Sequence, residues 1–125
     1  MKKILIVDDE PAMRMALKEV LRRRDYETVE VECGNDALDI LAEDKTIDLV
    51  ISDVRMPEMT GVEFLAAFRK VNTSTPVFML TSEKESIYKQ QCLDLGATDF
   101  FKKPFKPATI DAALTQLLNN MSLPD

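Results

Sequence analysis

Short, solidly apolar runs alternate along the whole chain with longer stretches in which apolar residues recur at helical spacing. KILIV at residues 3–7 has the length and the Ile and Val content of a strand, and it stops at Asp8-Asp9-Glu10 before Pro11, a residue suited to a first helical turn. From Ala12 to Arg24 the positions Met13, Ala16, Leu17, Val20 and Leu21 predict an amphipathic helix, with Arg14, Lys18, Arg22 and Arg23 on its other sides. A second strand at Thr28 to Val31 precedes a helix opened by Gly34-Asn35 and carrying Ala37, Leu38 and Leu41. The third strand, Leu49-Val50-Ile51, ends in Asp53. Thr60 and Glu63 have capping-box spacing, which predicts a helix from Gly61 to about Lys70 with Val62, Leu65 and Ala66 facing inward. Pro76 introduces a fourth strand, VFML, stopped at Thr81. Ser82 and Glu85 repeat the capping spacing for a helix that contains Ile87, Cys92 and Leu95 and ends at Gly96. The short strand DFF, Lys102-Lys103-Pro104 and a last helix from Pro107 through Ile110, Ala113, Leu114, Leu117 and Leu118 complete the chain, with NNMSLPD as a fraying tail.

Five strands alternating strictly with five helices, the strands apolar on both sides, imply an α/β fold with a doubly wound five-stranded parallel sheet and helices on both faces. Right-handed crossovers place every strand-to-helix loop on one edge of that sheet, where such folds take their ligands. Composition sharpens the picture by exclusion. The chain has 125 residues, 46% of them hydrophobic, which fits one domain, 1–125, and leaves no room for a second. Sixteen basic against 22 acidic residues give a net charge of −6, which disfavours direct binding to nucleic acid or to anionic membranes. RRRD at residues 22–25 reads as a solvated last helical turn. No apolar run approaches a membrane span, and MKKILIVDDE carries acids where a signal peptide stays apolar, so a cytoplasmic location is expected. Cys33 and Cys92 are expected as reduced thiols, and the absence of histidine excludes a His-based triad, a haem ligand and a conventional zinc site.

The residues that follow the strands are chemically unusual as a set: Asp8 and Asp9 after the first, Asp53 after the third, Thr81 after the fourth and Lys103 after the fifth. Taken singly, each has an ordinary reading as a turn former, a helix cap or a solvated lysine. In the 2-1-3-4-5 strand order of one common doubly wound fold, the three carboxylates converge at the switch point, where a hard divalent cation would offset their mutual repulsion. Mg²⁺ suits a few carboxylates plus a phosphate oxygen. A phosphoryl group on Asp53 would then meet the cation, the Lys103 ammonium and the Thr81 hydroxyl on different sides, with Asp53 as nucleophile.

The ordered set resembles the receiver domain of two-component response regulators, a flavodoxin-like fold similar to that of chemotaxis regulators, over essentially the whole chain. The family's acidic pair matches Asp8-Asp9, its D-x-x-M-P acceptor motif matches Asp53 in DVRMP, its hydroxyl residue matches Thr81 in TSE, and its KP lysine matches Lys103-Pro104. The resemblance implies a phosphorylation switch. A sensor histidine kinase or a histidine phosphotransfer protein supplies the phosphoryl group, and Asp53 accepts it with Mg²⁺ bound through Asp8, Asp9, Asp53 and the backbone carbonyl of Arg55. The acyl phosphate later hydrolyses, so the domain is no ordinary enzyme but catalyses its own phosphorylation and dephosphorylation. The family's pivoting aromatic corresponds to Phe100, which is expected to turn inward as Thr81 moves toward the phosphate. An ordinary core role for Phe100 stands beside that reading. The side chains of Arg55 and Glu83, two positions beyond Asp53 and Thr81, could pair across the site and modulate hydrolysis; solvation of Arg55 is the alternative.

Two rival functions remain. A haloacid-dehalogenase-like phosphatase uses the same residue types, but DDEPA lacks its D-x-D-x-T motif. A degenerate receiver acting only as a binding module would have lost some of the five chemical positions, which are all intact here. Output is expected through an output domain, a target protein or phosphorylation-dependent self-association at the face of the fourth helix, fifth strand and fifth helix.

Overall fold

The computed structural model describes residues 3–82 and 87–121. Its strands are β1 (Lys3–Val7), β2 (Glu27–Val31), β3 (Leu49–Asp53), β4 (Val77–Thr81) and β5 (Asp99–Lys102). Between and after them come α1 (Pro11–Arg22), α2 (Gly34–Glu43), α3 (Gly61–Val71), α4 (Lys89–Asp94) and α5 (Pro107–Met121). All strand pairs are parallel and the order is β2-β1-β3-β4-β5, as the sequence predicts. Ile51 of β3 lies beside Ile6 of β1 and Phe78 of β4, so at the carboxyl edge β3 runs one residue and β4 two residues beyond the level of Val7.

Alternate residues of each strand supply two cores. Leu5, Val7, Val50, Val77 and Met79 pack on one face with Ala37, Leu41, Phe64, Leu65, Phe68 and Cys92 from α2, α3 and α4. Ile4, Ile6, Leu49, Ile51, Phe78 and Leu80 pack on the other with Leu17, Val20, Leu21, Ile110, Leu114 and Leu117 from α1 and α5. Two-sided burial makes β3 and β4 fully buried throughout, whereas the edge strands β2 and β5 carry exposed residues at Glu27, Glu30, Asp99 and Lys102.

Three element boundaries depart from the sequence prediction. Helix α1 ends at Arg22 and not Arg24, because Asp25 takes φ 59° and the amides of Arg24, Asp25 and Tyr26 turn back to the carbonyls of Leu21 and Arg22. This is a left-handed helix stop made with Asp where Gly is usual. Helix α4 is only six residues long, and Ile87, expected within it, precedes it with 78% exposure; Glu85 of the expected cap lies outside the described residues. Helix α5 continues through Asn119 and Asn120 to Met121, where a fraying tail was expected, since Leu114 and Leu117 anchor its later turns in the core.

Candidate functional site

The carboxylates and the hydroxyl of the site are carried to the carboxyl edge by β1, β3 and β4, whose apolar residues are locked in the core. Asp53 closes β3 with 5% of its surface exposed, and Asp8 follows β1 with 1% exposed. Asp8 is held at both ends: its N–H donates to the Val31 carbonyl of β2 at 3.1 Å, and its Oδ1 accepts from the Glu10 N–H at 2.9 Å. Asp53 Oδ1 accepts from the Arg55 N–H at 3.2 Å. The loop after Asp53 is pinned by helix α3, whose capping box is complete: Thr60 Oγ1 accepts from the Glu63 N–H and Glu63 Oε1 from the Thr60 N–H. The Gly61 N–H donates to the Val54 carbonyl at 2.6 Å, and a Cβ at Gly61 would lie 2.2 Å from the Asp53 carbonyl oxygen. Only glycine permits that approach of helix to strand end.

Lys103 reaches the centre of this edge from beyond β5. Its Nζ donates to Asp53 Oδ2 at 2.7 Å, Asp8 Oδ2 at 3.1 Å and Glu10 Oε1 at 3.2 Å, with its side chain 11% exposed. The backbone fixes its root, the Lys103 N–H donating to the Thr81 carbonyl at 2.6 Å. Burial raises the pKa of Asp53, and the hydrogen bond and charge of Lys103 only partly offset it. Asp8 is likewise pushed up by burial, against the Glu10 N–H and Lys103. Burial also works against the charge of Lys103, but the Asp53 hydrogen bond and charge, with those of Asp8, outweigh it and raise its pKa.

Asp8, Asp9, Glu10 and Asp53 each bring a carboxylate oxygen within 4.8 Å of the others. Hard oxygen donors in that number suit a small divalent cation such as Mg²⁺, with Asp8 and Asp53 buried and Asp9 and Glu10 open to water. Glu10 is absent from the ligand set read from the sequence. Its side chain is 60% exposed; its N–H bonds Asp8 two residues away and its carboxylate meets Lys103 from 93 residues away, and the unbroken acidic run DDE was the available signal.

The other sequence-predicted residues are Thr81, Phe100, Arg55 and Glu83. Thr81 ends β4 fully buried, with its hydroxyl donating to the Ser82 carbonyl at 3.1 Å. Phe100 lies opposite Met79 on β5 and packs half-buried against the core on the α4 side. Arg55 is exposed in the loop after β3. Glu83 lies outside the described residues, so the expected Arg55 to Glu83 pairing falls outside them too.

The family model for the response regulator receiver domain matches residues 4–115. Transcriptional regulatory protein CpxR of Escherichia coli is 37% identical over 118 residues, covering 94% of this chain and 50% of CpxR, so the chain spans about half the length of that relative. Two-component response regulator ORR5 of Oryza sativa subsp. japonica is 33% identical over 120 residues, covering 92% of this chain and 87% of ORR5. The structure of chemotaxis response regulator CheY4 of Vibrio cholerae superposes with a TM-score of 0.84 at 37% identity, covering 93% of this chain and 98% of CheY4.

Proposed function

The chain belongs to the response regulator receiver family, the phosphorylation-activated switch domains of two-component systems, and from that premise we propose that Asp53 is its phosphoacceptor. The observation that carries this reading is the Lys103 ammonium 2.7 Å from Asp53 Oδ2 on a buried carboxylate edge that also offers Asp8, Asp9 and Glu10 to a cation. An Asp53 oxygen attacks the phosphorus of a phosphohistidine, and the P–N bond breaks with its electron pair returning to the imidazole nitrogen. Lys103 neutralises charge on the transferred oxygens, and the Arg55 N–H keeps the other Asp53 oxygen oriented. Asp8, Asp9 and Asp53, with the Arg55 backbone carbonyl, would hold Mg²⁺, which when bound would supply further charge neutralisation at the phosphoryl group. Thr81 exchanges its bond to the Ser82 carbonyl for one to a phosphoryl oxygen, and Phe100, on the adjoining strand, responds to the space it leaves.

Members of the family are switches that work with sensor histidine kinases and output domains. For this chain we assign the same kinds of partner: a sensor kinase or histidine phosphotransfer protein as donor, and a target protein, an output domain or a second copy at the α4-β5-α5 face as receiver of the signal. The 125 residues act as one receiver domain in the cytoplasm. No described helix is long and apolar enough to cross a membrane.

Incubation with Mg²⁺ and acetyl phosphate, followed by intact-mass spectrometry, tests the assignment. The parent protein gains one phosphoryl group and Asp53→Asn gains none. A comparable gain in Asp53→Asn would place the acceptor elsewhere.

A further inference from the structure

The loop that carries Asp8 and Asp9 is held from behind by a side chain that touches neither the acceptor nor the carboxylates. Arg14 lies in the first turns of α1, where its own N–H donates to the Glu10 carbonyl at 3.1 Å. Side chains on a helix lean toward its N-terminus, and Arg14 accordingly reaches back so that Nη1 donates to the backbone carbonyl of Asp8 at 2.7 Å. The other side of the guanidinium is anchored to the edge strand: Nε donates to Glu30 Oε1 at 3.2 Å, and Nη2 lies 3.8 Å from Glu32 Oε1. Lys18, one helical turn on, pairs with Glu30 Oε2 at 3.0 Å. Although it carries a full charge, the Arg14 side chain is only 14% exposed.

The carbonyl that Arg14 holds belongs to the peptide joining Asp8 to Asp9. The Asp8 N–H is fixed on β2 and its carboxylate on Glu10 N–H and Lys103, so the bond from Arg14 completes the restraint of this peptide plane. Asp9 depends on it most. Its side chain is exposed and has no hydrogen-bond or ion-pair partner among the described residues, so its direction is set by the backbone from which it projects.

We propose that Arg14, braced by Glu30, is a positioning residue that orients the Asp8-Asp9 peptide for cation binding. This inference rests on the reading of the acidic cluster as a Mg²⁺ site. Outer-shell partners of metal ligands govern affinity because they fix ligand direction before the ion arrives. Electrostatics gives the proposal a sharp sign. Removing the Arg14 charge makes the neighbourhood more negative, so Coulomb attraction alone would tighten Mg²⁺ binding, whereas loss of orientation weakens it.

The experiment is a titration of the full chain with MgCl2, followed by amide chemical shifts without any phosphodonor. Arg14→Met, which keeps the aliphatic stem and removes the donors, should bind Mg²⁺ about 10-fold to 100-fold more weakly than the parent. Arg14→Lys, with one donor restored, should fall between them. Lys18→Ala removes the neighbouring ion pair to Glu30 without touching Asp8 and should bind as the parent does. A purely structural role would lower the Mg²⁺-free unfolding midpoints of Arg14→Met and Lys18→Ala without separating their affinities. Parent-like or tighter binding in Arg14→Met overturns the proposal, as does an equal loss in Lys18→Ala. A parent protein that binds no Mg²⁺ overturns the metal reading itself, and this inference with it.

Discussion

Lys103 faces three carboxylates at once, and two of them, Asp8 and Asp53, are buried. Removing a partner from such a pair leaves an uncompensated charge, so Lys103→Met should destabilise the fold by about 3 kcal/mol in urea unfolding at neutral pH. Asp53→Asn should do the opposite and raise stability at pH 7, because Lys103 retains Asp8 and Glu10 while a desolvated charge is removed. The pH dependence follows from the raised folded pKa of Asp53. Below its unfolded value, about 3.9, the group is protonated in both states and imposes no penalty. As pH rises toward the folded value the unfolded state releases its proton first, the folded state loses stability relative to it, and the loss is complete above the folded value. Unfolding curves of parent and Asp53→Asn should therefore draw together in acid and separate toward neutrality. A parent more stable than Asp53→Asn at pH 7 would contradict the account.

Helix α3 shows how an element delivers a residue it does not contain. Thr60 and Glu63 were readable as its cap because a capping box closes within four residues. Thr60→Ala should cost about 1 kcal/mol, measured as a lowered unfolding midpoint. Gly61→Ala should cost more, about 3 kcal/mol, because a Cβ 2.2 Å from the Asp53 carbonyl forces helix and strand end apart. If Gly61→Ala matches the parent in stability and in phosphorylation by acetyl phosphate, the close packing does not set the position of Asp53. The same neighbourhood shows what element-level reading misses. Asp visits the left-handed region far less often than Gly, so Asp25 did not stand out as a helix stop and α1 was extended two residues too far.

At the scale of the whole molecule, the sheet order leaves β5 as an edge strand beside α4 and α5, joined to the site through Thr81 and Lys103. Phe100 and Phe101 point to opposite faces of β5, Phe100 into the α4 side and Phe101 edge-on to Phe78 at 5.3 Å on the α5 side. Helix α4 is six residues long and contributes one fully buried residue, Cys92, with half-buried Leu95 packing on the core at its C-cap. A phosphoryl group on Asp53 that draws Thr81 toward it and takes over the Lys103 contact would act on this edge, so amide exchange after phosphorylation should change at α4, β5 and α5 more than at α2 and β2. Changes confined to the loops around Asp53 would argue against this face as the output. Thr81→Ala should still accept phosphate while the exchange response shrinks.

The sequence by itself determined the element order, the parallel sheet and the residues at the strand ends, because apolar periodicity, Pro placement and capping spacing act over a few residues and leave their trace in the chain. Asp8, Asp9, Asp53, Thr81 and Lys103 were legible for the same reason: each is the polar residue where an apolar strand stops. Tertiary structure alone decided what meets what. The Glu10 carboxylate meets Lys103 from 93 residues away, the Arg14 guanidinium that holds the Asp8 carbonyl is braced by Glu30 of β2, and Gly61 is indispensable because α3 starts against β3. Such contacts join residues distant in the chain, and their free energy depends on the geometry of the packed sheet, which local sequence pattern does not encode.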